Sequence, residues 1–387
     1  MTTRLYYRDA YLTDFDAVVL ERADEGRRVY LDRTAFYPTS GGQPFDTGRL
    51  GDGEVVDVVD EGERIAHVLA APVQGDRVQG RVDWPRRFDH MQQHTGQHVL
   101  SAVLAERFGH ETVSVHFGRD SSTLDLGTGS LSHGAVVEAE LLANRAVTDN
   151  HPVTVDFEDA AAASGLRKPT GRTGAIRVVT IDDLDRSACG GTHVRATGEI
   201  GAILIRKVER VKHQVRLEFL CGERAVRRAR SDGDLLAELA ATRSAAAEDL
   251  PALLMAERAE LKAATGARRE VEEALAGYRA REIYASATTD ARGRRLAIVE
   301  EAAGPVERLR VMAEAYVSLP AAVFVGIVEH PPALLLAAAS DTGLDAGRVL
   351  KAVLDAHGGR GGGNARMAQG TVKEGTLDAV VESILRH

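Results

Sequence analysis

The sequence predicts an α+β protein in which a small β-barrel precedes a mixed α/β block, a helical connector and a compact α/β domain. Short alternating runs such as RVYLDRTAFY and EVVDVVD, separated by Gly/Asp turns, fill the first 88 residues. This spacing is typical of a small barrel or sandwich. Strands and helices then alternate, except in one strongly helical stretch. The domains that we predict are residues 1–88, 89–222, 223–285 and 286–387.

The composition is that of an ordinary globular protein, with 44% apolar and 27% charged residues. Two cysteines, Cys189 and Cys221, cannot form a disulfide framework, and such sparse use is typical of a reducing compartment. The N-terminal residues do not resemble a signal peptide, and the most apolar run, LPAAVFVGIV, is too short to span a bilayer. We therefore expect a cytoplasmic protein without a membrane partner.

The net charge of −9 argues against a nucleic-acid partner on charge alone, because phosphate binding needs local positive charge. The segment 205–230 is nevertheless clearly basic. Within it, Arg206, Lys207 and Arg210 are candidate contacts to a polyanion. Charge alone favours a solvated face as the explanation of the same residues.

The block 89–222 begins with a helix. Its sequence, FDHMQQHTGQHVLSAVLAERFG, has apolar residues at helical spacing and ends near Gly109. A second helix is predicted from Ser132 to Asp149. The predicted strands are TVSVHFG, STLDLG and IRVVTI, followed by the run from IGAILIRKV to VRLEFLC.

The helical connector carries apolar residues at alternating four- and three-residue spacing, namely Leu250, Leu254, Leu261, Val271, Leu275 and Tyr278. Glu257 and Arg268 interrupt this seam, which argues against a long coiled coil. We predict a helical hairpin or a short dimer contact, with Pro251 and Gly266 as candidate breaks.

The C-terminal block alternates strands such as RRLAIVEE and AAVFVGIVE with helices such as GRVLKAVLDAHG and TLDAVVESILRH. The stretch HGGRGGGNARMAQG, residues 357–370, is predicted to be a glycine-rich loop that could cradle phosphate through backbone N–H groups. It lacks the GK[ST] of a nucleotide-binding loop, so we do not expect ATP binding.

Two histidines and a Cys/His pair form a candidate metal site. His94 and His98 stand at i and i+4 of the first helix, so both rings project from one face. His90 lies one turn earlier and leaves the choice of pair open. In CGGTH, two glycines let the backbone turn tightly enough to aim Cys189 and His193 at one point. Three imidazoles and one thiolate suit a single zinc ion.

These motifs resemble a known family. The combination of HTGQH, residues 94–98, with CGGTHV, residues 189–194, is similar to the editing domain of alanyl-tRNA synthetases and of the free-standing alanyl-tRNA editing proteins, AlaX. The stretch TAFYPTSGGQPFDTG, residues 34–48, is similar to the Gly-rich barrel loop of that family. Residues 357–370 resemble the DHH-associated domain of its long forms, which implies contact with tRNA, dimerisation or both.

The resemblance implies hydrolysis of the ester that joins a wrong amino acid to tRNA(Ala), with serine expected and glycine as a second candidate. It implies one zinc ion, a tRNA contact that includes Arg360, and a homodimer through the connector and the C-terminal domain. Because four protein ligands close a tetrahedral shell, either Cys189 yields its place or other groups handle the water. Gln43, whose amide can both donate and accept, is our candidate for the second of these roles.

The same loop is predicted to bind the substrate. Gly41 and Gly42 would let the substrate approach the backbone closely. Alanine is smaller than serine and cannot be excluded by size, so the pocket must form a favourable hydrogen bond with the serine hydroxyl. Thr34 is our candidate for that hydrogen bond, and Thr39 and Ser40 are alternatives.

Two other functions compete with this interpretation. Threonyl-tRNA synthetase editing domains have similar HxxxH and CxxxH pairs, so Ser-tRNA(Thr) is an alternative substrate. A zinc-stabilised tRNA-binding or assembly module without turnover is the alternative from another class. A generic metallohydrolase is disfavoured because the chain has no HExxH motif.

Overall fold

The computed structural model describes all 387 residues, which form two compact units, Met1–Arg243 and Ser244–His387. The first unit holds a barrel, three further sheets and three α-helices, and the second holds one five-stranded sheet with its own helices. None of the helices combines the length and the apolar character needed to cross a bilayer.

The N-terminal strands close into a six-stranded barrel, as the alternating pattern predicted. Its strands follow the order β2-β3-β7-β6-β5-β8 around the barrel, and β1 pairs with β4 beside it. Val29, Leu31 and Leu50 are among the fully buried residues that fill the barrel core. The strands are β1 Thr3–Arg4, β2 Asp14–Ala23, β3 Arg28–Leu31, β4 Arg33–Thr34, β5 Gly48–Leu50, β6 Gly53–Asp60, β7 Ile65–Leu69 and β8 Arg77–Val82.

A tight turn between β4 and β5 carries the SGGQ sequence. Ser40 and Gln43 exchange backbone hydrogen bonds of 3.1 and 2.9 Å across it. Gly41 and Gly42 have φ angles of 57° and 86°, which L-residues with a Cβ rarely adopt. The two glycines are therefore required by the turn itself.

The helix that carries the two candidate metal histidines is α1, Trp84–Phe108. Pro85 lies in its first turn, and Gly109 ends it in the left-handed conformation with φ of 67°. The predicted end near Gly109 is confirmed. The second helix, α2, spans His133–Asp149, and the Ser132 hydroxyl caps it by accepting a hydrogen bond from the backbone N–H of Ala135.

Helices α1 and α2 share an apolar core with a four-stranded antiparallel sheet of order β14-β15-β10-β9. A separate three-stranded sheet has the order β11-β12-β13 and supplies the strand that leads into CGGTH. The strands are β9 Thr112–Phe117, β10 Ser122–Leu126, β11 Val153–Asp159, β12 Ala175–Ile181, β13 Asp185–Ala188, β14 Ile203–Val211 and β15 Gln214–Cys221.

Two long helices correspond to the predicted connector, α3 Glu223–Thr242 in the first unit and α4 Leu250–Ser286 in the second. Pro251 lies in the first turn of α4, consistent with a boundary there. The predicted break at Gly266 is wrong, because α4 continues through it. One glycine inside a helix costs only about 1 kcal/mol relative to alanine, which a helix of 37 residues tolerates.

The second unit is built on a mixed sheet of order β16-β17-β18-β20-β19, in which only β16 and β17 are parallel. Alternate residues of β17 face opposite sides, so Val323 packs in the core with α6 and α7, and Phe324 packs in the core with α5. The remaining elements are β16 Arg295–Ala303, α5 Arg310–Tyr316, β17 Ala322–His330, β18 Ala333–Ala338, α6 Ala346–His357, β19 Arg360–Gly363, β20 Met367–Thr371 and α7 Leu377–Leu385.

The glycine-rich stretch 357–370 forms a β-hairpin of β19 and β20, so the predicted phosphate-cradling loop is wrong. A Cβ at Gly361 would lie 2.4 Å from the carbonyl oxygen of Gln369, and one at Gly363 would lie 2.2 Å from that of Met367. These glycines therefore permit close strand pairing, and their backbone is committed to the sheet.

Candidate metal centre

The four predicted metal ligands converge in the first unit. One donor atom from each of His94, His98, Cys189 and His193 lies within 4.8 Å of all the others. The Cys189 sulfur lies 3.4 Å from Nε2 of His94 and 3.4 Å from Nε2 of His193. His90 is buried on the same helix but is not part of the group. The structure therefore resolves the choice of pair in favour of His94 and His98.

Each imidazole of the group is fixed by a partner at Nδ1. Gln43 Oε1 accepts from His94 at 2.9 Å, Asp185 Oδ2 accepts from His98 at 2.7 Å, and Thr95 Oγ1 contacts His193 at 3.2 Å. The Thr95 hydroxyl already donates to the Met91 carbonyl, so it accepts from His193. All three rings thus turn Nε2 toward the centre, which is the orientation of metal-binding histidines.

Small residues in both motifs allow the two segments to meet. A Cβ at Gly191 would lie 2.2 Å from Cε1 of His94, so only glycine fits between the two metal-binding segments. A Cβ at Gly96 would lie 2.3 Å from the sulfur of Cys221, which explains the glycine of HTGQH. Cys221 itself is fully buried in the core of the unit, as predicted.

The electrostatics of the centre favour a charged thiolate. Burial raises the pKa of the Cys189 thiol, but the rings of His94 and His193 outweigh burial and hold that pKa well below its usual value. Burial lowers the pKa of His98, yet the hydrogen bonds with Asp185 and Cys189 raise it to about 9. Burial, together with His94, lowers the pKa of His193 to about 3.

This donor set fits a tetrahedral metal ion. Zinc binds imidazole nitrogen at about 2.1 Å and thiolate sulfur at about 2.3 Å, which places N and S about 3.6 Å apart around one ion. The two S···N separations of 3.4 Å are close to that value. A metal ion would replace the His98 proton as the positive charge beside the thiolate. The residues could therefore hold one metal ion.

Gln43 has a different place from the one predicted. It is fully buried. Its amide oxygen accepts from His94 and from the backbone N–H of Thr192 at 3.1 Å, and its amide nitrogen donates to Thr192 Oγ1 at 2.8 Å. Both acceptor positions of the amide oxygen are occupied, so Gln43 orients a metal ligand and its oxygen is not free to accept from a water molecule.

Thr34 also lies away from the centre. Its side chain is fully buried beside the barrel, where Oγ1 accepts from the backbone N–H of Phe36 at 3.1 Å and lies 2.8 Å from Nε2 of His67. The prediction that Thr34 contacts a substrate hydroxyl does not agree with this position. Gly42 faces strand β9, where its Cβ would lie 3.0 Å from the Val115 carbonyl oxygen.

A cavity of about 520 Å³ adjoins the group, and three of the four ligands, His94, His98 and Cys189, line it. Gly41 and Ser40 line it on the barrel side, and Cys189 lies at its floor. The other lining residues are Tyr7, Tyr37, Gln97, Ser187, Ala188, Gly190, Gly191 and the segment 167–172. Of the predicted substrate residues, Gly41 reaches this cavity, and Thr34 and Gly42 do not.

The four residues predicted to contact nucleic acid are exposed and lie outside the cavity. Arg206 pairs with Glu218 at 2.8 Å, and Lys207 pairs with Glu209. Arg210 is exposed on β14, and Arg360 is exposed on β19 of the second unit. Two of the four charges are thus matched by neighbouring carboxylates, and a tRNA contact at these positions stays a prediction.

Several residues of the centre were missed by the sequence patterns. Gln97 follows His94 by three positions, so helical spacing could have placed it beside the ligands. Asp185 precedes Cys189 by four residues on strand β13, but nothing in that spacing signals a contact with His98. Tyr7 and Tyr37 line the cavity without any motif.

Comparison with known proteins agrees with these motifs. Residues 176–217 match the family model of the threonyl and alanyl tRNA synthetase second additional domain, and residues 305–386 match the DHHA1 domain. The alanyl-tRNA editing protein AlaX-M of Methanosarcina acetivorans is 38% identical over 232 residues, which are 54% of this chain and 94% of that protein. This chain belongs to the alanyl-tRNA editing protein family.

Other relatives are longer than the chain. The alanyl-tRNA editing protein AlaX-L of Pyrococcus horikoshii is 36% identical over 58% of this chain and 59% of its own length. The alanine–tRNA ligase of Pyrococcus abyssi is 32% identical over 100% of this chain and 43% of its own length. The resemblance of this chain to the AlaX family, inferred from HTGQH and CGGTHV, is confirmed.

Proposed function

We propose that this member of the alanyl-tRNA editing protein family is a zinc-dependent deacylase that acts in trans on mischarged tRNA(Ala). Its substrate is Ser-tRNA(Ala), with Gly-tRNA(Ala) as the second candidate. The observation that carries the proposal is the convergence of three imidazole nitrogens and one thiolate beside an open cavity that His94, His98 and Cys189 line. Family membership supports the choice of reaction.

The reaction adds water to the ester carbonyl and breaks the bond between the acyl carbon and the ribose oxygen, so that serine and free tRNA leave. A bound zinc ion supplies a positive charge that can polarise the carbonyl or hold the amino group of the amino acid. The chain supplies the fixed orientation of the three rings through Gln43, Asp185 and Thr95. An ester is already activated, so positioning supplies much of the remaining rate.

Four protein ligands would fill a tetrahedral shell, and we propose that Cys189 is the ligand that yields to substrate or water. His94, His98 and His193 are each at most 4% exposed, whereas Cys189 is partly exposed at the cavity floor. The three rings are also held at Nδ1. Outside the group, the Cys189 sulfur is held only by a weak hydrogen bond from the backbone N–H of Gly191 at 3.4 Å, so it can move at the smallest cost.

Gln97 is our candidate for the group that recognises the serine hydroxyl. It lines the cavity and is 5% exposed, and its amide nitrogen donates to Ser101 Oγ at 2.7 Å. Ser101 is in turn joined to Thr112 Oγ1 at 2.7 Å. This chain of hydrogen bonds fixes the amide plane and leaves the amide oxygen to accept from a substrate hydroxyl. Alanine and glycine would leave that oxygen unpaired.

A deacylation assay with the zinc-loaded protein tests the proposal. We expect release of serine from Ser-tRNA(Ala), slower or absent release of alanine from Ala-tRNA(Ala), and loss of both zinc and activity in His98→Ala. Faster cleavage of Ser-tRNA(Thr) than of Ser-tRNA(Ala) would favour the threonyl alternative. Absence of cleavage of any aminoacyl ester by a zinc-loaded, folded protein would favour the module without turnover.

A further inference from the structure

We infer that the segment 167–172, which forms one wall of the cavity, binds the phosphodiester groups next to the terminal nucleoside of the substrate. This inference deepens the proposed function and rests on it for the identity of the ligand. The segment has the sequence RKPTGR and belongs to the connection between β11 and β12. All six of its residues line the cavity.

The first argument is the sign of the charge. The wall contributes Arg167, Lys168 and Arg172, and no aspartate or glutamate lines the cavity. The chain as a whole carries 57 acidic against 48 basic residues. Apart from the Cys189 thiolate, whose charge a bound metal ion would neutralise, the charged side chains that line the cavity are cations. They are a local exception in an acidic protein and favour an anionic ligand group.

The second argument is that two of these cations are not matched by a carboxylate. Arg167 pairs with Asp185 at 2.6 Å, so its charge is compensated. Lys168 donates to the carbonyl oxygen of Thr112, a neutral partner. Arg172 is exposed, and its guanidinium makes no ion pair. Lys168 and Arg172 therefore retain positive charge that a phosphate can neutralise.

The third argument is that the wall is anchored to the metal centre. The backbone N–H of Arg167 donates to the Arg186 carbonyl at 2.7 Å, and its side chain donates to Asp185, which also holds His98. This anchor fixes the wall relative to the ligands at the cavity floor. An ester held at the floor would bring the ribose-phosphate chain past this wall, where a guanidinium can bind phosphate oxygens in bidentate fashion.

The test compares two substrates of the zinc-loaded full chain, Ser-tRNA(Ala) and 3′-O-seryl-adenosine, which has no phosphate. In Lys168→Ala/Arg172→Ala we expect KM for Ser-tRNA(Ala) to rise about tenfold or more, since charged hydrogen bonds are lost. Hydrolysis of seryl-adenosine should be unchanged. The negative slope of log(kcat/KM) against log salt should become shallower by about 0.7 for each phosphate contact removed. Arg27→Ala, an exposed arginine on the barrel, is the matched control.

Equal losses on both substrates, or no loss on either, would overturn the inference. A wild-type protein that cleaves neither substrate would contradict the proposed function and leave the binding question to a second measurement. That measurement is the affinity of the double variant and of the wild type for a short single-stranded RNA ending in CCA, followed by fluorescence anisotropy. Weaker binding by the double variant than by Arg27→Ala supports the phosphate wall, and equal binding overturns it.

Discussion

Asp185 Oδ2 accepts a hydrogen bond from Nδ1 of His98 at 2.7 Å, across 87 positions of sequence. The carboxylate is buried, and its other oxygen pairs with Arg167 at 2.6 Å. Burial raises the pKa of Asp185, but His98 and Arg167 outweigh burial and lower it. Asp185 therefore stays ionised and connects the cavity wall to a metal ligand.

Asp185→Ala should weaken zinc binding about 10- to 100-fold, the usual cost of losing a carboxylate partner of a metal-binding histidine. Competition with a chromophoric chelator measures the affinity directly. Asp182→Ala, at an exposed position nearby, is the matched control and should bind zinc like the wild type. Unchanged zinc affinity in Asp185→Ala would show that His98 needs no such support.

Gln97→Leu should reduce kcat/KM for Ser-tRNA(Ala) and leave Gly-tRNA(Ala) nearly unaffected. Leucine keeps the volume of the side chain but removes the amide oxygen, so the serine hydroxyl loses its partner. We expect a loss of about 10- to 100-fold, equivalent to roughly 1–3 kcal/mol for one hydrogen bond left unmade. The ratio of the two initial rates measures the effect.

The control for Gln97 is Gln79→Leu, at an exposed position of β8 in the barrel, which should keep the wild-type ratio of serine to glycine hydrolysis. Equal loss on both substrates in Gln97→Leu would show that this side chain only shapes the cavity. It would then have no part in recognition of the hydroxyl.

Thr34→Val should lower stability by about 1–3 kcal/mol and leave zinc content and substrate preference unchanged. Valine leaves the backbone N–H of Phe36 and Nε2 of His67 without their buried partner, and an unsatisfied buried group carries this cost. Denaturant unfolding gives the free energy, and the deacylation assay gives the preference. A selective loss of serine hydrolysis at wild-type stability would instead show that Thr34 contacts the substrate hydroxyl.

The ligand set could be predicted from sequence because helical geometry and a glycine turn are local properties. His94 and His98 lie four residues apart on one helix, and the two glycines between Cys189 and His193 indicate a tight backbone turn. The six-stranded barrel was predictable for a similar reason, because alternating residues and turn residues indicate each strand from its own local sequence.

The partners of these residues could not be predicted, because they depend on how distant segments pack. Gln43 reaches His94 across 51 positions, and Thr34 reaches His67 across 33 positions. In each case the motif indicated a free polar side chain, but the fold brings a distant residue that hydrogen-bonds to it. Spacing along the chain indicates which residue types are present, and packing decides which of their polar atoms are free.

The last prediction concerns acid stability and follows from His67. Burial lowers its pKa to about 4, although the hydrogen bond to the Val29 carbonyl opposes this shift. In the unfolded chain the pKa is near the ordinary value of about 6.5. Between pH 6.5 and pH 4, His67 therefore binds a proton in the unfolded state but stays neutral in the folded state. Stability is fully present above pH 6.5 and falls progressively toward pH 4, by up to about 3 kcal/mol.

His67→Gln isolates this contribution, because glutamine can donate to the Val29 carbonyl and accept from Thr34 but does not titrate. Between pH 7 and pH 4, the unfolding free energy of the wild type should fall by about 3 kcal/mol more than that of His67→Gln. His213→Gln, at an exposed position, should follow the wild-type profile throughout. Other acid-sensitive groups, including the metal ligands, are common to all three proteins and cancel in the difference. A pH-independent difference would mean that His67 takes up its proton in the folded barrel, which its burial and two hydrogen bonds argue against.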